Sequence, residues 1–144
     1  MTFDYVEFID GGFESQQMYD DAVGECGPKQ FRLIDNHAEG ERSEIEVELL
    51  SNRYSKIIDY FGHMVEEAIE ARVYIPRRKW KTKERSYLDS PVLREEFLAE
   101  MFDILLHHRA ILVYAGVTGK EFESVAAKKL AYNQIRKDHK INVV

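Results

Sequence analysis

The segment Phe97–Leu106 (FLAEMFDILL) holds eight apolar residues and two carboxylates, Glu100 and Asp103. Three residues apart on a helix, the two acids share one face about a turn apart. A helix apolar nearly all round is expected to be largely buried. An ionised carboxylate buried without a partner costs several kcal/mol, so a cation is required against Glu100 and Asp103. Upstream, VEEAIEA (65–71) places Glu67 and Glu70 three apart, with Glu66 four before Glu70, again among apolar residues. Two helices presenting carboxylate pairs to one core make an oxygen-only, strongly negative cage, which suits hard divalent ions such as Mg²⁺ or Mn²⁺. The competing reading is that these acids face solvent or meet Arg and Lys in ordinary ion pairs. In a chain with 26 acidic residues such spacings also arise by chance.

Two basic clusters accompany the acids. The first is Arg77, Arg78, Lys79, Lys81, Lys83 and Arg85, directly after the Glu66–Glu70 segment. Trp80 lies inside it, as a stacking surface for a nucleobase or as a residue packed at a helix end. In the second, Lys129, Asn133 and Arg136 fall at i, i+4 and i+7 on one helical face. Two cations and an amide on one stripe can grip phosphates and read a polar edge; the alternative is the exposed face of a terminal helix. Clusters this short suit a small polyanion better than a long duplex.

The elements that must position these residues are helical. Ser43 with Glu46 forms a capping box, and apolar residues from Ile45 to Val73 recur at helical spacing. That helix is predicted to run to about Ile75, where Pro76 stops it, with Gly62 as a break between two halves. Ser90-Pro91 opens the next helix, which Gly116 ends after about Tyr114. Thr118 caps a last helix to about Lys137. Residues 1–42, punctuated by Gly11-Gly12, Gly24, Gly27-Pro28 and Gly40, read as an irregular acidic segment with a short helix near Ser15–Val23 and an extended stretch near 30–34. The expected fold is all-α, a bundle of about four helices over 43–144 that needs partners to cover its apolar sides. A homodimer or homotetramer follows.

Composition narrows the field further. The chain has 144 residues, one cysteine and a net charge of −6; residues 1–50 carry −10 and residues 51–144 carry +4. That length supports one domain with a real core. One cysteine cannot build a disulfide framework, and no Cys/His set has zinc spacing. Ile104–Gly119, the longest nearly uncharged stretch, is broken by His107, His108 and Arg109, so no membrane span is expected. MTFDYVEFID lacks a basic or apolar leader region, and a cytoplasmic protein is expected. No P-loop, GxGxxG or Ser-His-Asp order is present. His107 and His108 follow Asp103 by about one turn; His107 is read as a helix-surface residue, with lining of the pocket as the alternative, His63 is open to either reading, and Cys26 is an ordinary thiol.

Glu66-Glu67-x-x-Glu70, Arg78-Lys79-Trp80-Lys81, Glu100-x-x-Asp103 and Lys129-x-x-x-Asn133-x-x-Arg136 together resemble the all-α nucleoside triphosphate pyrophosphatases. That superfamily comprises MazG-like enzymes and the dimeric dUTPase/dCTPase type, often encoded by phages. Trp80 and Lys81 look more like the dimeric dUTPase branch. The resemblance spans residues 45–139 and leaves 1–42 unmatched. It implies that Glu67, Glu70, Glu100 and Asp103 ligate Mg²⁺ (or Mn²⁺), two or more ions per site, with Glu66 and Glu67 assisting catalysis. It further implies that Lys79, Trp80, Lys81, Lys129, Asn133 and Arg136 contact the nucleotide. The implied reaction converts a dNTP and water to dNMP and pyrophosphate with a pyrimidine base (dUTP or dCTP) preferred, in the host cytoplasm for a phage protein. The alternatives are a MazG-like enzyme for dGTP or dATP, and a non-enzymatic helical interaction module. Two features depart from the family pattern. Twenty-nine residues separate Glu70 from Glu100, and Lys137-Asp138-His139 stands where the family often has glycine and tyrosine.

Overall fold

The computed structural model describes residues 3–75 and 90–142. The chain is all-α: α1 (Tyr5–Val23), α2 (Pro28–Asp35), a 3₁₀ turn (Glu39–Glu41), α3 (Glu44–Arg72), α4 (Pro91–Tyr114) and α5 (Gly119–Asn142). Among the described residues no helix is long and apolar enough to cross a membrane.

α3 and α4 form a long antiparallel pair. Tyr60 stacks on Tyr114 (ring centroids 5.8 Å apart), and at the other end Tyr74 meets Phe97 (6.2 Å). α1 lies against the opposite flank of α4, with Phe8 against Phe102 and the Arg109 guanidinium over the Phe8 ring at 4.5 Å. α5 starts against α1, where Gly119 N–H donates to Asp10 (2.9 Å) and Phe122 meets Tyr5 (5.5 Å). The core gathers where α2 closes one end: Phe31, Ile34, Leu50 and Tyr114 are buried together.

The capping signals act as the sequence suggests. Ser43 Oγ accepts from Glu46 N–H (3.2 Å), and Glu46 Oε1 accepts from Ser43 N–H (3.3 Å). Thr118 Oγ1 accepts from Glu121 N–H (3.2 Å). Gly116, at φ +77°, supplies the left-handed residue just past α4.

Three expectations are corrected. Residues 1–42 are not irregular: α1 spans nineteen residues, capped by Asp4, which accepts from Val6 and Glu7 N–H. Gly11-Gly12 does not interrupt it. Arg109 crosses so close to Gly12 that a Cβ there would collide with its side chain, and packing outweighs a helix penalty of about 1 kcal/mol per glycine. The stretch 30–34 is helical rather than extended. Pro28 sits in its first turn, and Phe31 and Ile34 are buried one turn apart, while Leu33 is exposed. Gly62 does not break α3, which ends at Arg72, three residues before Ile75.

The burial expected of Phe97–Leu106 is also absent within one chain. Leu98, Met101, Phe102 and Leu105 are exposed, because α1 starts near Phe102 and leaves the earlier turns of α4 with α3 alone. α3 itself is apolar on two sides. Ile58, Phe61, Val65 and Ile69 are each more than half exposed. At 100° per residue they lie opposite Tyr60, Glu67 and Ala71, which face α4.

Candidate metal centre

The α3–α4 seam brings one carboxylate of α3 and two of α4 together midway along the pair. Oxygens of Glu67, Glu100 and Asp103 lie within 4.8 Å of one another, all half-buried. Each comes from the predicted four-ligand set. The antiparallel register makes the meeting possible: Glu67 and His107 each sit two turns from the Tyr60–Tyr114 stack, and Asp103 lies about one turn beyond His107, within side-chain reach of Glu67.

The cluster is polar but unsatisfied. Glu67 Oε2 and Glu100 Oε2 are buried and have no hydrogen-bond partner among the described residues. Hydrogen bonding to Glu67 pushes the Glu100 carboxyl above its ordinary range; desolvation and the charges of Glu67 and Asp103 add to the rise, and the hydrogen bond with Glu70 opposes it. Carboxylates this close repel one another unless a proton or a cation joins them. The nearest basic group among the described residues is His107, whose Nε2 stands 3.8 Å from Glu67 Oε1. That distance is too long for a hydrogen bond. The donor set is all oxygen, and two of its buried oxygens are unpaired, so these residues fit a hard divalent cation.

The other predicted residues fall elsewhere. Glu70 acts on Glu100 but is exposed and outside the triad. Glu66, one residue round the helix from Glu67, is exposed and pairs with His63 (3.7 Å). Lys129, Asn133 and Arg136 do share a face of α5, but from Ala127 to Asp138 every side chain is exposed. Lys129 and Arg136 flank Tyr132, 5.4 and 5.7 Å from its ring centroid. α5 packs on α1, so one chain does not bring this stripe to the seam. Lys79, Trp80 and Lys81, with the rest of the 77–85 cluster, lie outside the described residues.

Sequence reasoning passed over the aromatic run beside the triad. His107 is half-buried rather than a surface residue, and it packs against His63 (5.5 Å) and Tyr60 (6.1 Å). His108 is also half-buried: it contacts Phe122 (5.4 Å), bonds the Tyr5 hydroxyl (2.5 Å), and is pushed down in pKa by burial. The signal was present as spacing, since Tyr60, His63 and Glu67 recur at i, i+3 and i+7, and only the antiparallel partner adds His107 to that line. Comparison of the chain with family models, with curated proteins and with solved structures finds no match.

Proposed function

We propose that this chain is a metal-dependent nucleoside triphosphate pyrophosphohydrolase, converting a dNTP and water to dNMP and pyrophosphate, with a pyrimidine nucleotide preferred. The observation that carries the reading is the convergence of Glu67, Glu100 and Asp103 within 4.8 Å, with two buried oxygens unpaired. An ordinary structural carboxylate cluster is expected to recruit Arg, Lys or backbone donors; among the described residues none bonds the buried oxygens of this one. Glu67, Glu100 and Asp103 would hold Mg²⁺ or Mn²⁺, with Glu70 close enough to Glu100 to join. The bound ion supplies neutralisation of phosphate charge. A carboxylate of the Glu66–Glu70 group would orient water or accept its proton; Glu66 and Glu70 are exposed on one turn of α3 beside Glu67. The test is turnover of the four common dNTPs and dUTP with Mg²⁺, read as released pyrophosphate. Turnover lost in Glu100→Gln supports the reading, and no turnover of any triphosphate by the wild-type chain overturns it.

A second reading, a helical interaction module, is favoured by the outer apolar stripe of α3. We read that stripe first as the contact between two copies of this chain, because a two-sided apolar helix is completed most simply by its own symmetry mate. Sedimentation should give twice the 16.9 kDa of one chain for the wild type and one chain for Val65→Asp. A monomeric wild type would remove the dimer.

A further inference from the structure

His107 lies one turn from the triad on its own helix: Glu100, Asp103 and His107 fall at i, i+3 and i+7, along one face of α4. Glu67 meets that face from α3. Its Oε1 stands 3.8 Å from His107 Nε2, and its Oε2 is a buried atom with no hydrogen-bond partner among the described residues. The same side chain belongs to the oxygen cluster with Glu100 and Asp103. The triad therefore continues, through Glu67, to a ring nitrogen.

The 3.8 Å gap decides what that nitrogen is suited to. A charge-assisted hydrogen bond closes to about 2.7–2.9 Å. Where a histidine of this chain does bond a carboxylate, His37 Nδ1 stands 2.5 Å from Glu46 Oε2. His107 and Glu67 have not closed in this way. Two ligand atoms of one tetrahedral ion, each about 2.0–2.1 Å from the metal, stand about 3.4 Å apart. Glu67 Oε1 and His107 Nε2 come within a few tenths of an ångström of that separation. The imidazole is also held in place: its ring packs against Tyr60 (6.1 Å) and His63 (5.5 Å), and its side chain is only 25% exposed. His63 is exposed and pairs with Glu66 instead.

We propose that His107 is a nitrogen ligand of this centre, which makes it selective for divalent transition ions over Mg²⁺. Mg²⁺ takes oxygen ligands in near-ideal octahedral geometry and keeps several waters. Imidazole suits ions such as Zn²⁺ and Fe²⁺, and affinity at such mixed sites rises from Mn²⁺ through Co²⁺. Three carboxylates alone set no such preference; the fourth donor does. The proposal rests on the reading of Glu67, Glu100 and Asp103 as a cation centre and names the class of ion that this centre takes.

The experiment titrates the full metal-free chain with Zn²⁺ and with Mg²⁺ by calorimetry and follows the imidazole nitrogens by ¹⁵N NMR. Zn²⁺ should bind and move the Nε2 signal of His107, which Mg²⁺ should leave in place. Loss of a group that merely supports a metal ligand costs about 10–100-fold in affinity. His107→Gln should therefore weaken Zn²⁺ at least tenfold and change Mg²⁺ less than threefold, while His63→Gln should leave both ions as they are. A His107 signal unmoved at saturating Zn²⁺ overturns the proposal whatever the variants do. So does a His107→Gln chain that binds both ions more tightly, the mark of a counter-charge rather than a ligand, or an equal loss of Zn²⁺ in His63→Gln. Zn²⁺ held by His107 without any triphosphate turnover leaves this centre standing and removes the pyrophosphohydrolase. Turnover supported by Mg²⁺ with His107 unmoved by Zn²⁺ does the reverse.

Discussion

Two polar clusters share the same helices and differ in how their charges are met. At the α2 end, Arg53 is 6% exposed and grips Asp35 with both terminal nitrogens at 2.8 Å, leaving only its Nε unpaired. Asp20, 1% exposed, accepts from Tyr114 and Gln16 and lies 4.0 Å from Lys56. Three to four turns beyond Lys56 and Arg53 on α3, Glu67 and, across the seam on α4, Glu100 each hold a buried oxygen with no hydrogen-bond partner among the described residues. The first cluster meets its charges with opposite ones and leaves a single Arg53 nitrogen unpaired, and its energy goes into holding α1 and α2 against α3 and α4. The second is incomplete, and incompleteness at a half-exposed seam is a property of a ligand site.

If that contrast is right, cutting the first cluster costs stability and leaves cation binding alone. Asp35→Ala strands the Arg53 guanidinium. Removing one partner of a buried pair costs about 3–5 kcal/mol, and the partial exposure of Asp35 places this case near 3 kcal/mol. For a chain of this size the melting temperature should fall by about 10 °C, with the Mg²⁺-induced shift unchanged. A drop within the error of the melt would show that the α2 end is not the anchor its hydrogen bonds describe.

Mg²⁺ itself should have the next largest effect. At a hundredfold excess over its dissociation constant, a ligand bound only by the folded chain adds about 2.7 kcal/mol. Differential scanning calorimetry of the wild type should show a shift of that order with Mg²⁺ or Mn²⁺. Glu100→Gln should lose the shift while melting higher than wild type without metal, since a repelling charge is gone. If the variant keeps the shift, the cation binds elsewhere.

Tyr114→Phe comes third. Asp20 retains the Gln16 amide and the nearby Lys56, so loss of the hydroxyl should cost about 1–2 kcal/mol. The stack on Tyr60 survives, and the Mg²⁺-induced shift should be unchanged. A larger loss of stability would mean that the Gln16 amide and Lys56 do not satisfy Asp20 once the Tyr114 hydroxyl is gone.

These contrasts also show what the sequence could carry. Local chemistry was legible: Ser43 with Glu46 and Thr118 cap the helices they were expected to cap, and three of the four carboxylates of the expected set, Glu67, Glu100 and Asp103, come together while Glu70 stays outside. The misreadings share a cause. Gly12 looks like a helix breaker until Arg109, nearly a hundred residues away, is seen to need its missing Cβ. His107 looks like a surface residue until the antiparallel register sets it against Tyr60. The apolar stretch around Leu98 looks buried because periodicity reports that a face will be covered and does not say by which chain. Lys129, Asn133 and Arg136 share a face as their spacing required, but the direction in which α5 leaves the bundle is fixed by Asp10 and Tyr5 at its start.

The smallest effect is the most specific test of the incomplete cluster. The Glu100 carboxyl is raised above the ordinary glutamate value of 4.5 by its hydrogen bond with Glu67, by desolvation and by neighbouring charge. In the metal-free chain the folded state therefore takes up this proton at a higher pH than the unfolded state. Stability rises with pH where the unfolded state holds more protons; here the folded state holds more, so the sign is reversed. As pH falls through the folded-state pKa, the Glu100 contribution should move toward greater stability, levelling off below about 4.5. The same proton competes with a cation, so the Mg²⁺-induced shift should shrink over that interval. Subtracting the melting temperatures of Glu100→Gln from those of the wild type at each pH isolates the effect from the other carboxylates. A difference flat in pH without metal would mean that Glu67 and Glu100 do not repel, and the reason for placing a cation between them would be gone.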